Sequence, residues 1–253
     1  MRILLSNDDG VFSEGMRALA LALQDGNELY IAAPDKQQSA ASRSMTLYAP
    51  LRARKVELPG IRAEAYAVSG TPVDCVRLAV GNLVPEPDIV VSGINHGPNQ
   101  GTDVLYSGTV AAAHEGALLG YPAIAVSDCA YHPQYLETAA RVARLCVGYM
   151  TAHPLAFGRL MNVNVPDIPF AELKGWKKAG TCVEEYALQY IERKDPMGVP
   201  YYWAPRERLT NVCGQDVDTR WTGEGYAVLT PLTYDLTDRA ALTALDLTDL
   251  EKA

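Results

Sequence analysis

Residues 2–35, RILLSNDDGVFSEGMRALALALQDGNELYIAAPD, carry the alternation on which the fold turns. Arg2–Ser6 is a short apolar run that predicts a strand, and Asn7-Asp8-Asp9-Gly10 is a polar loop directly behind it. Met16, Leu19, Ala20 and Leu23 then fall at i, i+3, i+4 and i+7, one face of a helix, with Gly26 as its stop. Leu29–Ala33 predicts a second strand, ended by Pro34-Asp35.

The same texture continues outward. A polar loop over 36–44 leads to an extended stretch at Met45–Ala49, and Ala63–Val68 predicts a strand. Thr71 and Asp74 resemble a capping box opening a helix through Val80. Asp88–Ser92 is apolar enough for a strand buried on both faces. A long Gly/Asn-rich loop, Gly93–Gly108, precedes a helix over Thr109–Leu119, and Ala123–Val126 is another strand. Helical spacing runs from Leu136 to Met150, and Met161–Val165 closes the series. Strand and helix alternating at this density predict an α/β fold with a mostly parallel sheet flanked by helices.

After Pro166 the chain becomes rich in aromatics, glycine and charge, with short strand-like runs such as Tyr226–Thr230. Tyr201-Tyr202-Trp203 predicts a strand or hairpin, packed on the core or on a second subunit. We read one domain, 1–253, with an α/β core over about 1–165 and a β-rich C-terminal extension over about 166–253.

The 253 residues carry a net charge of −8, which excludes duplex nucleic acid as a general partner. Ile3-Leu4-Leu5 is too short for a signal-peptide core, and no apolar run approaches a membrane span, so the cytoplasm is the expected compartment. The five cysteines are an odd number without a CxxC pair, which argues against a disulfide framework or a thiolate zinc site.

In open parallel sheets, ligands bind where strands end at their carboxyl edge. Three loops fall there. In the first, Asp8 and Asp9 repel each other with no basic neighbour in sequence, a conflict that a Mg²⁺, Mn²⁺ or Ca²⁺ ion resolves; NDDG is equally a plain turn. The second, 36–44, carries Ser39, Ser42 and Ser44, whose hydroxyls suit an oxygen coordination shell, and Arg43 as a phosphate partner; it is equally a solvated polar loop. The third, 92–109, supplies Asn95 and Asn99 as neutral oxygens and amide donors. It ends on Ser107, Gly108 and Thr109, whose helix-opening N–H groups favour an anion, helix capping being compatible with that role. His96 beside Asn95 is either a proton donor to a leaving alcohol or a hydrogen-bonded loop residue. His114, His132 and His153 read as structural or exposed.

NDDG, GTPVDCV and SGINHGPNQGTDVLYSGTVAAA together resemble the SurE family of nucleotidases and phosphatases, and DPMGVPYYW and GYAVLTPLTYDLT extend the likeness along the whole chain. The resemblance implies a Rossmann-like core and a C-terminal extension used in homodimer or homotetramer contacts. It implies one divalent metal per subunit on Asp8, Asp9, Ser39 and Asn95, and phosphate binding at Ser107, Gly108 and Thr109 with Asn99 nearby. Gln100 and His114 depart from the residues expected in many relatives, neither at a ligand position.

The activity these residues point to is metal-dependent hydrolysis of a phosphate monoester, and the resemblance implies nucleoside 5′-monophosphates, with 3′-monophosphates also accepted, as its substrates. The attacking group is either water or Asp8 itself through an aspartyl-phosphate. The base rests on an aromatic of the extension, with Tyr202 and Trp203 as candidates. A metal-dependent nucleotide sensor without turnover is the alternative. A dinucleotide oxidoreductase and a P-loop kinase are excluded, because neither GxGxxG nor GxxxxGK[ST] is present.

Overall fold

The computed structural model describes residues 1–204, 208–211 and 214–248. The elements run β1 (Arg2–Ser6), α1 (Glu14–Leu23), β2 (Glu28–Pro34), β3 (Ala53–Val56), β4 (Ala63–Val68), α2 (Pro72–Leu78), β5 (Ile89–His96), α3 (Gly108–Leu118), β6 (Ala123–Asp128), α4 (Leu136–Ala152) and β7 (Arg159–Val165). Beyond them lie β8 (Trp176–Lys178), β9 (Glu184–Tyr186), β10 (Ile191–Lys194), β11 (Pro200–Trp203), β12 (Arg208–Asn211), α5 (Asp218–Gly223), β13 (Ala227–Thr233) and α6 (Arg239–Ala244).

Among the described residues, nine strands form one sheet in the order β3-β4-β2-β1-β5-β6-β7-β13-β8. From β4 to β7 every neighbouring pair is parallel, as the alternation predicts. Strand β13 runs antiparallel to β7 and carries β8 beside it, so the extension beyond residue 165 adds strands to the same sheet. The chain first winds outward from β1 through β2 to β4, then returns to place β5 on the other side of β1. That reversal is a topological switch point, where the loops leaving β1 and β5 diverge and open a crevice.

Period-two alternation in β1 sends Ile3 and Leu5 into the cluster with Met16, Leu19 and Leu23 of α1 and Val142, Cys146 and Met150 of α4. Leu4 points the other way, to Cys75 and Val76 of α2 and Ala112 of α3. Each large apolar side chain so buried contributes about 1.5–3 kcal/mol. Helix α3 is buried from Gly108 to Ala117. It comes so close to the sheet that a Cβ at Gly116 would lie 2.7 Å from Cβ of Val90.

The stretch at Met45–Ala49 lies outside any strand, with the Thr46 amide and hydroxyl both donating to Asp74, and β3 forms the edge of the sheet. Two expectations need correction. The loop expected from Gly93 begins later, since β5 continues through His96 with a register shift between Ser92 and Asn95. Cys182 is disulfide-bonded, against the expectation drawn from the odd number and spacing of the cysteines, while Cys75, Cys129 and Cys146 are free thiols; Cys213 lies outside the described residues. The capping box at Thr71 and Asp74 forms as expected. No described helix is long and apolar enough to cross a membrane.

Candidate active site

Asn7, not singled out from sequence, shapes the loop that presents the carboxylates. Its side-chain oxygen accepts from the Gly10 amide at 3.1 Å, and its Nδ2 donates to the Gly10 carbonyl at 3.0 Å and to Ser13 Oγ at 2.7 Å. Ser13 in turn caps α1 by accepting from the Met16 amide, a contact worth about 1 kcal/mol. Gly10 sits at φ +101, a conformation open to glycine at little cost. A polar side chain folded back on its own turn thus fixes Asp8 and Asp9 at the end of β1.

Asp8 is 5% exposed. Thr109 Oγ1 donates to its Oδ1 in a short hydrogen bond. Burial pushes the carboxyl up to about 6; the Thr109 hydroxyl lowers it and the neighbouring Asp9 charge raises it further. The α3 start approaches so closely that a Cβ on Gly108 would lie 2.7 Å from Asp8 Cβ and 3.0 Å from Oδ2. Asp9 accepts from Gln37 Nε2 at 3.0 Å, and the His96 backbone amide lies 3.5 Å from its Oδ2. No ion pair among the described residues involves either carboxylate.

The second loop is stitched to both of the others. The Gln38 amide donates to the Asp8 carbonyl at 2.7 Å, while the Ser42 amide and hydroxyl donate to the carbonyls of Tyr106 and Leu105. Ser39, one residue beyond Gln38, is exposed. Ala40 and Ser42 adopt positive φ of 57 and 52, left-handed backbone at residues that carry a side chain. Arg43 is not brought to the carboxylates. Its charge falls on His114, two helical turns along α3 from Ser107, whose imidazole burial holds down to about 4.

At the end of β5, Asn95 Nδ2 donates to the Gly97 carbonyl at 2.8 Å, which leaves its oxygen as the remaining polar group. His96 Nε2 is buried without a hydrogen-bond partner. In register across from it, buried Asp128 has an unpartnered Oδ2, and burial pushes its carboxyl up to about 7. Asn99 turns away from the carboxylates: its amide donates to Ser127 Oγ, and its backbone bonds the side chains of Asn162 and Asn164. Ser107 caps α3 by accepting from the Val110 amide, and the Thr109 amide, like its hydroxyl, is drawn to the Asp8 carboxylate.

The asparagines of β7 were not foreseen, although two polar residues alternating in an apolar strand are a signal. Asp218 of α5 was missed as well. It is fully buried and accepts from the Gly101, Cys182 and Thr219 amides, while Gln100 Nε2 donates to Thr222 beside it. His132 and His153 are exposed, as expected.

Two carboxylates, one deeply buried, with no cation to compensate them are a donor set that fits a hard metal ion. Among the described residues no cluster of three or more His, Cys, Asp or Glu side chains is poised for a metal. A cation here would draw the rest of its shell from neutral oxygens, of which the Asn95 side-chain oxygen is one at this edge.

A family model described as "Survival protein SurE" matches residues 3–187. The chain is 46% identical to the 5′-nucleotidase SurE of Aeromonas hydrophila over 247 residues, covering 97% of each. It is 47% identical to the 5′/3′-nucleotidase SurE of Proteus mirabilis over 248 residues, 97% of this chain and 94% of that one. The crystal structure of a SurE protein from Aquifex aeolicus matches the fold with a TM-score of 0.85 at 34% identity, over 98% of this chain and all of the other.

Proposed function

This chain belongs to the SurE family, and from that membership we propose that it is a phosphomonoesterase acting as a 5′-nucleotidase. It hydrolyses nucleoside 5′-monophosphates, and 3′-monophosphates as a second class, to nucleoside and phosphate. The observation that carries the site is the buried, uncompensated Asp8 beside Asp9 at the switch point, facing the start of α3.

Asp8, Asp9, Ser39 and Asn95 would hold one divalent cation, Mg²⁺ or Mn²⁺ by their oxygen chemistry, with Ca²⁺ as a further occupant. When bound, that cation supplies Lewis acidity and offsets charge gathering on the phosphoryl group. Thr109 fixes the Asp8 carboxylate in one orientation. Ser107 and Gly108 present the open end of α3 to the phosphate. His96, whose backbone amide faces Asp9 and whose Nε2 is buried without a partner, would protonate the leaving alcohol. Arg43 supports the phosphate only through a rearrangement of loop 36–44. Asn99 contributes by holding that edge of the site to Ser127 and β7.

A homodimer or homotetramer is supported by the apolar surface of the β10–β11 hairpin, where Ile191, Val199, Tyr201, Tyr202 and Trp203 are all exposed. The free thiols favour the cytoplasm, and the Cys182 disulfide pulls the other way. The test is phosphate release from AMP and GMP with added Mg²⁺ or Mn²⁺. Release that stops with chelator and in Asp8→Asn and Asp9→Asn is expected. Well-folded protein that releases none with either metal would instead be a nucleotide sensor.

A further inference from the structure

The reaction leaves one aromatic side chain at the crevice without a task. Tyr131 lies between β6 and α4, at the same carboxyl edge as Asn95 and His96. It belongs to none of the buried apolar clusters, and it is 65% exposed. Its ring is nevertheless fixed on one side. A Cβ built on Gly97 would lie 2.7 Å from Tyr131 Cε1 and 2.9 Å from Cδ1, so the ring lies against the bare glycine backbone.

Gly97 is itself immobilised. Its amide donates to the Asp128 carbonyl at 3.0 Å, its carbonyl accepts from Asn95, and φ is +109, where a side chain would strain the backbone. Gly97 follows His96, whose amide faces Asp9 at 3.5 Å, and successive Cα atoms are only about 3.8 Å apart. An aromatic ring, packed from behind and open in front, thus stands against Gly97, the residue next to the His96 amide that faces Asp9.

We propose that Tyr131, seated on Gly97, is the platform on which the nucleobase of the substrate stacks; this rests on the nucleotidase reading above. Every base offers a π-face, so such a platform takes purines and pyrimidines alike and discriminates nucleotides from simple sugar phosphates. It also suits a chain of net charge −8, because stacking on a neutral base asks for no positive surface. Other exposed rings are placed less well. Phe12 lines a surface pocket with Arg17, Leu58 and Pro59 on the α1 flank, and Tyr202 and Trp203 sit on the separate β10–β11 hairpin. Tyr106, next to Ser107, is the nearest competitor.

The test compares AMP with ribose 5-phosphate, which is the same substrate without its base. Stacking is worth about 1–3 kcal/mol per base, or about 5- to 150-fold. Tyr131→Ala should lower kcat/KM for AMP by that factor, chiefly through KM, and leave ribose 5-phosphate unchanged; Tyr131→Phe should stay within about twofold of wild type on both. An unchanged AMP rate, equal losses on the two substrates, or a selective loss in Tyr106→Ala alone would each overturn the platform. A wild-type enzyme that cleaves neither substrate would remove the nucleotidase reading itself, and the platform with it.

Discussion

Replacing Asp8 by Asn should make the metal-free protein more stable while ending its activity. Burial raises the Asp8 carboxyl from 3.8 to about 6. One pKa unit is worth about 1.4 kcal/mol, so keeping Asp8 ionised in the fold costs about 3 kcal/mol relative to the unfolded chain. The sign is that of a raised acid. No cost is felt below about pH 4, where both states are protonated. It grows as pH rises toward 6 and is constant above that. Asn keeps an oxygen for the Thr109 hydroxyl and removes both the buried charge and its repulsion with Asp9. If its new NH₂ finds no acceptor beside Gly108, about 1–2 kcal/mol is given back. The net gain at pH 8 is then about 1–3 kcal/mol, or roughly 2–12 °C in Tm for a chain of this size. The assay is urea and thermal unfolding in chelator at pH 4 and pH 8, repeated at pH 8 with Mn²⁺. The gap should close at pH 4, and Mn²⁺ should stabilise only the wild type. A variant no more stable than wild type at pH 8, or a gap of the same size at both pH values, would refute the argument that Asp8 is a buried charge awaiting a cation.

Two further outcomes follow from close approaches. Gly108→Ala places a methyl 2.7 Å from Asp8 Cβ, so it should cost about 1–3 kcal/mol of stability and at least tenfold in kcat, read by unfolding and phosphate release; wild-type activity would show that the helix start can retreat. Asp218→Ala strips the acceptor from the amides of Gly101, Cys182 and Thr219, and should cost about 2–4 kcal/mol. Amide exchange at Gly101 should accelerate with it, whereas unchanged protection there would mean that the loop is held by other contacts.

Much of this was legible because it is local. The strand, loop and helix of residues 2–23 follow from apolar spacing, and the Asp8–Asp9 pair stands out for want of a basic neighbour. The switch point was not legible, because it depends on β5 choosing the far side of β1, a pairing between segments more than eighty residues apart. Asn162 and Asn164 read as ordinary strand because their partner, Asn99, lies on another element. Asp218 was invisible for the same reason, its contact Gly101 being distant in sequence. Arg43 was read as a phosphate ligand from composition alone; the stitching of Ser42 to Leu105 and Tyr106 sets where its side chain goes. The extended stretch at 45–49 joins no sheet, its Thr46 amide being already engaged by Asp74.

Helix α3 has one more consequence. Nearly its whole length is walled in, and Gly116 presses its backbone onto Val90. Interiors packed at crystal density pass a push along instead of absorbing it. The end proposed to meet the phosphate is therefore an anvil, fixed by the core and deaf to whatever alcohol the phosphate would be attached to. On the proposed reading, any adaptation to different leaving groups would fall to loops outside that wall, such as 36–44 with its ties to Leu105 and Tyr106.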